Sequence, residues 1–181
     1  WRNGMSAYSL WYLIIQHDWY MRFGHKEFLE KHRDYILGLI DQIDKCIDEN
    51  GNDAMGAHFL DWPSSPNREG VDAGYHALLV WAMQDAAKMS TLLSDEAHAQ
   101  KCRDVEARLR KKTVNPNGLK QAAALMAIAG MMKPDQACRD YVAVGGPKGF
   151  STFYGYYMLE ALAMDGRYEE AMDIISQYWG G

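Results

Sequence analysis

Apolar residues recur along most of this chain at helical spacing. From 6 to 23 they fall nearly all round the helical wheel: Leu10, Trp11, Leu13, Ile14, Ile15, Trp19, Tyr20, Met21 and Phe23. A helix that is apolar on most faces is expected to be buried, and Gly24 is placed to end it. From 26 to 47 the pattern changes. Phe28, Leu29, Tyr35, Ile36, Leu39, Ile40, Ile43 and Ile47 return at three- and four-residue steps, with Glu30, Lys31, Asp34, Asp41, Asp44 and Lys45 between them. This is the stripe of an amphipathic outer helix. A second buried helix is expected from an N-cap at Asp72 through Tyr75, Leu78, Trp81 and Met89 to Leu92. A polar helix follows at 97–112, a small-residue apolar one at 122–132, a short one at 136–142, a buried aromatic one at 150–164 and an outer one at 168–179.

Four times an apolar helix ends in a short polar turn and a more amphipathic helix begins with an acid near its start. The turns are Gly24-His25-Lys26-Glu27, Ser94-Asp95-Glu96-Ala97, Lys133-Pro134-Asp135-Gln136 and Asp165-Gly166-Arg167-Tyr168-Glu169. Short turns make neighbouring helices antiparallel, so the pattern predicts four αα-hairpins. The unequal loops at 50–71 and 142–149 argue against a strict solenoid. The fold class expected is all-α, one helical domain over 1–181, with inner helices wrapped by outer ones and the long loops gathered at one end.

Composition narrows the chemistry. The chain has 181 residues, 48% of them apolar, enough for a sizeable core. Its longest unbroken apolar run, Leu10-Trp11-Tyr12-Leu13-Ile14-Ile15, is far too short to span a bilayer. A net charge of −5 argues against nucleic acid as the main partner. Cys46, Cys102 and Cys138 are widely spaced in helical stretches and are expected to be free, buried thiols. The histidines include no His-x-x-x-His, so neither a metal site nor a cofactor is expected. Gly145-Gly146-Pro147-Lys148-Gly149 lacks the strand context of a phosphate loop. The opening Trp1-Arg2-Asn3-Gly4 resembles no signal peptide, which leaves the compartment open and suggests either a processed chain or an internal piece of a longer one.

The candidate site is Phe59-Leu60-Asp61-Trp62-Pro63. Proline at 63 biases Trp62 to an extended conformation, placing Asp61 and Trp62 on a loop. An indole can cover the C–H face of a sugar while a neighbouring carboxylate accepts its hydroxyl hydrogen bonds. The same residues also read as a helix-entry loop anchored by a tryptophan. Tyr8 and Trp11, three apart near the start of the first helix, share a face that could line the same mouth, or could be core. His58 could bond a substrate or satisfy the loop, and the structural role is the one expected; Glu160 reads as a paired interior acid, with catalysis as the alternative.

In order and spacing the pieces resemble the catalytic domain of bacterial α-L-rhamnosidases and related six-hairpin glycosidases. The residues that carry this are Tyr8-Ser9-Leu10-Trp11, Gly24-His25-Lys26-Glu27-Phe28-Leu29 and Phe59-Leu60-Asp61-Trp62. Phe150-Ser151-Thr152-Phe153, Leu159-Glu160-Ala161-Leu162, Gly166, Glu170-Ala171 and Tyr178-Trp179-Gly180 complete the set. The resemblance covers essentially the whole chain and implies an (α/α)6 toroid, of which about four of the six hairpins are present. It implies inverting hydrolysis by two carboxylic groups roughly 6.5–9.5 Å apart. The family's acid lies upstream of the Tyr8–Trp11 helix and its base just downstream of Tyr-Trp-Gly, and neither segment is in this sequence. By the same resemblance Trp11 and Trp62 line the sugar pocket beside Asp61. The partners expected are a rhamnoside-type glycan and either the remainder of the barrel or a second copy. The competing reading is a non-catalytic αα-hairpin scaffold that binds protein or glycan.

Overall fold

The computed structural model describes residues 4–180, so Trp1, Arg2, Asn3 and Gly181 lie outside it. Among the described residues the chain is all-helical, with one isolated bridge between Ile47 and Asp53 and no strand. The α-helices are α1 (Ala7–Phe23), α2 (Lys26–Lys31), α3 (Arg33–Asp44), α4 (Arg68–Leu92), α5 (Glu96–Leu109), α6 (Lys120–Ile128), α7 (Pro134–Ala137), α8 (Tyr154–Met164) and α9 (Tyr168–Trp179). A π-helical turn, Cys138–Val142, continues α7. The chain divides into two compact units: residues 1–58 with 79–113, and residues 59–78 with 114–181.

The first unit holds α1, α2, α3, the second half of α4, and α5. Gly24 ends α1 in the left-handed conformation, its N–H donating to the Tyr20 carbonyl. The expected outer helix is broken at His32. Its ring Nδ1 bonds the Phe28 carbonyl at 2.7 Å, and its backbone N–H turns instead to Leu29. A side chain has taken the acceptor that the next helical turn needs. The stripe of α3 is nevertheless where periodicity places it, with Ile36, Leu39, Ile40 and Ile43 buried. α3 packs on α5, and the seam is lined by Arg33–Asp95, Asp41–Lys101 and Asp44–Arg108 pairs. Cys46 lies beyond the end of α3 and is only partly buried, unlike Cys102. α1 is not buried all round. Leu10, Trp11, Leu13, Ile14 and His17 face in, while Tyr8, Ile15, Trp19, Met21 and Phe23 are exposed.

The second unit holds the loop 59–67, the first half of α4, α6, α7, the π turn, α8 and α9. α4 starts at Arg68, ahead of the expected cap at Asp72. Asn67 is the cap: its Oδ1 accepts the Gly70 N–H at 3.0 Å. Asp72 is exposed and pairs loosely with Arg68 inside the helix. α6 is short, and Ala122, Ala123, Ala124, Leu125, Met126 and Ala127 are all buried. Its small side chains let it pack closely on α8 and on Gly74 of α4. In α8 Tyr154, Tyr157, Met158, Ala161 and Leu162 are buried. Glu160 is exposed, so it is a surface acid and not an interior one.

Candidate functional site

The Asp61–Trp62 pair lies on a loop of the second unit, as Pro63 requires. Leu60 anchors it from behind, buried with its Cδ1 against the bare Cα of Gly74. Asp61 then works as the loop's hub. Its Oδ1 accepts the Ser64 N–H at 2.9 Å, an Asx-type turn. Its carbonyl accepts the hydroxyls of Ser64 at 3.1 Å and Ser65 at 2.8 Å. Its Oδ2 accepts the Ser151 hydroxyl at 2.6 Å and the Gln121 amide at 3.2 Å. A carboxylate offers about four acceptor positions, and the protein fills three of them.

These bonds join two loops that are far apart in sequence. Gln121, at the start of α6, also reaches the Gly149 carbonyl at 3.4 Å, and Lys120 donates to the Gly146 carbonyl at 2.7 Å. The Lys120 ammonium stands 5.2 Å from the centre of the Phe150 ring, a cation–π distance. Burial pushes its pKa down, opposed by the charge of Glu170. Ser64, Lys120, Gln121 and Ser151 are all buried. The Gly-rich segment 145–149 therefore accepts from the start of α6 by its carbonyls.

With its base fixed in this way, the loop presents Trp62 to solvent. The residue is 81% exposed, and its indole meets Phe59 edge-on with ring centres 5.2 Å apart. A large aromatic on a pinned loop, with this much of it in water, offers a flat apolar face at little ordering cost.

In the first unit Tyr8 and Trp11 do not share an exposure. Tyr8 is 61% exposed, whereas Trp11 is 6% exposed and packs edge-on to Trp81 at 5.7 Å. Three residues on a helix are displaced by about 60° around the axis, and on α1 that step crosses the boundary between core and solvent. His58 has the structural role expected, its Nε2 lying 2.9 Å from Asp53 Oδ1.

Sequence reasoning missed Ser151 and Gln121. Both are buried polar residues whose partner lies 90 and 60 positions away, so no local spacing signals them. Comparison with family models, with curated proteins and with solved structures gave no match. No helix among the described residues is long and apolar enough to cross a membrane.

Proposed function

We propose that this chain forms part of an α-L-rhamnosidase-like glycoside hydrolase and contributes an aromatic wall of the sugar pocket, without the general acid and base. The observation that carries this reading is Trp62, an indole held open to solvent by a loop whose acid is engaged by Ser64, Ser151 and Gln121. Trp62 is the stacking surface. Asp61 is a positioning residue with one acceptor site left for a hydroxyl. In the first unit, taken by itself, Tyr8 is an exposed ring, and Trp11 supports α1 from within. In this reading the helix pairs belong to an (α/α)6 toroid, and the remaining hairpins or a second copy of the chain cover the apolar faces left open.

Replacing Trp62 by Ala in the enzyme that carries this chain is expected to raise KM and lower kcat/KM for aryl rhamnosides. Loss of one stacking face corresponds to about 1–3 kcal/mol. The exposed side chain has little packing to lose, so Tm should stay unchanged. Wild-type kinetics in Trp62→Ala would remove the residue from the site, and absence of rhamnoside hydrolysis in the unmodified enzyme would remove the activity.

The scaffold reading is favoured by a different observation. Tyr8, Ile15 and Trp19 lie about one or two turns apart on α1 and are all exposed. Such a stripe suits docking of another helix and requires no sugar.

A further inference from the structure

Two apolar helices of the first unit carry polar residues at positions where their neighbours are core. α1 has His17 and Asp18, and the second half of α4 has Asp85. His17 is 8% exposed, Asp85 is 1% exposed, and Asp18 is half-buried. One donor atom from each lies within 4.8 Å of the other two. His17 Nδ1 stands 3.3 Å from Asp85 Oδ1, yet it forms no hydrogen bond. Asp85 Oδ2 is enclosed and has no hydrogen-bond partner either. A buried carboxylate oxygen left in this state is costly, and a bound cation would offset that cost.

Lys88 supplies only part of that charge. Its ammonium donates to Asp85 Oδ1 at 2.9 Å, which leaves Oδ2 without a hydrogen bond. The Lys88 side chain is 59% exposed, so it can swing into water at little cost. Burial and the neighbouring Asp85 carboxylate push the Asp18 carboxyl up, against the pull of His17, Arg22 and Lys88. Two acids are thus crowded together beside an imidazole.

We infer that His17, Asp18 and Asp85 form a binding site for a divalent transition ion of the Zn²⁺ type, which ties α1 to α4. A tetrahedral ion with nitrogen and oxygen ligands at about 2.0–2.2 Å separates neighbouring donors by roughly 3.3 Å, the separation that His17 Nδ1 and Asp85 Oδ1 already have. One imidazole and two carboxylates suit Zn²⁺, whereas Ca²⁺ requires six to eight oxygens. The fourth position falls to water, and half-buried Asp18 gives the ion its way in. The absence of His-x-x-x-His made a metal site unexpected from spacing, because the third ligand comes from a distant helix. The site is independent of the sugar reading, since the two share no residue.

The test is calorimetric titration of the whole chain with ZnCl₂ alone, with CaCl₂ as the comparison ion. Saturable binding of about one Zn²⁺ per chain is expected, with no matching Ca²⁺ isotherm and a higher Tm in the presence of Zn²⁺. Asp18→Asn and Asp85→Asn should each weaken Zn²⁺ binding by roughly tenfold or more and abolish the Tm gain. Asp18 is the less buried of the two, so Asp18→Asn, with its fold checked by circular dichroism, decides the matter where Asp85→Asn does not fold. The assignment is overturned if Zn²⁺ does not bind, if Asp18→Asn binds it as tightly as the unmodified chain, or if Ca²⁺ binds equally well.

Discussion

At the scale of single residues, several part-buried polar groups of this chain hold its loops. Asp53 shows the balance. Its side chain is 4% exposed and accepts from His58 Nε2 at 2.9 Å and from the Met55 N–H at 3.3 Å. Burial alone pushes its pKa up, but the hydrogen bond and charge of His58, with Met55 and Lys112 behind them, outweigh that, and the net direction is down. A carboxyl whose folded pKa lies below its unfolded value of about 3.9 stabilises the fold above that value. The contribution is lost as pH falls through the folded pKa. Asp53→Asn should therefore lower the urea midpoint at pH 7, by the equivalent of about 1.5–3 kcal/mol for a charged hydrogen bond. The gap from the unmodified chain should close as pH is taken below about 4. Urea melts at a series of pH values would show this, and a gap independent of pH would mean that the Asp53 charge contributes nothing. The buried thiols lie at the other extreme. Burial pushes Cys102 up to about 12 and Cys138 up to about 11, so neither is a nucleophile near neutral pH.

Between residue and molecule, the helices show what periodicity carries and what it does not. The buried stripe of α3 was legible because burial is periodic. The break at His32 was not, because a side chain bonded to the Phe28 carbonyl leaves the apolar spacing unchanged. Periodicity puts the start of α4 five residues late because two polar caps, Asn67 and Asp72, compete in sequence and only the Asn67–Gly70 bond decides between them. The Asp61–Trp62 loop was legible from Pro63, but the residues that pin it were not. Close helix contact in the second unit was legible in the alanines of α6, and it gives a sharp test at Gly74. A Cβ there would lie 2.6 Å from Leu60 Cδ1, 3.1 Å from Ala122 Cα and 3.2 Å from Ala122 Cβ. Leu60 can turn away, whereas the backbone of α6 cannot. Replacing glycine by alanine within a helix gains about 1 kcal/mol, and overpacking costs about 1–3 kcal/mol, so Gly74→Ala should be net destabilising. Gly38 of α3 is the control. It is exposed, and a Cβ there meets nothing within 4 Å, so Gly38→Ala should stabilise by up to about 1 kcal/mol. Thermal melts of the two variants should shift in opposite directions; a shared direction would show that the contact at Gly74 is slack.

For the molecule as a whole, the balance between apolar surface and charge predicts association. In the first unit α1 leaves Tyr8, Ile15, Trp19, Met21 and Phe23 exposed. In the second, α9 exposes Tyr168, Met172, Ile175 and Trp179, which recur at three- and four-residue steps along one face. Apolar area removed from water is worth roughly 25 cal/mol per Å², and exposed apolar patches mark contact surfaces. Opposing association is a net charge of −5 on every copy, a repulsion that acts over about 10 Å at 0.1 M salt and over less as salt rises. The chain should therefore self-associate with increasing concentration, and more strongly in high salt. If charged pairs held the copies together, salt would have the opposite effect. Ile15→Lys and Met172→Lys each place a cation within an exposed stripe without touching the core. Each should shift the sedimentation profile towards monomer, and the two together should shift it further. An unmodified chain that sediments as a monomer at all concentrations and salts would show that the stripes do not bind each other, and that their partner is a different surface.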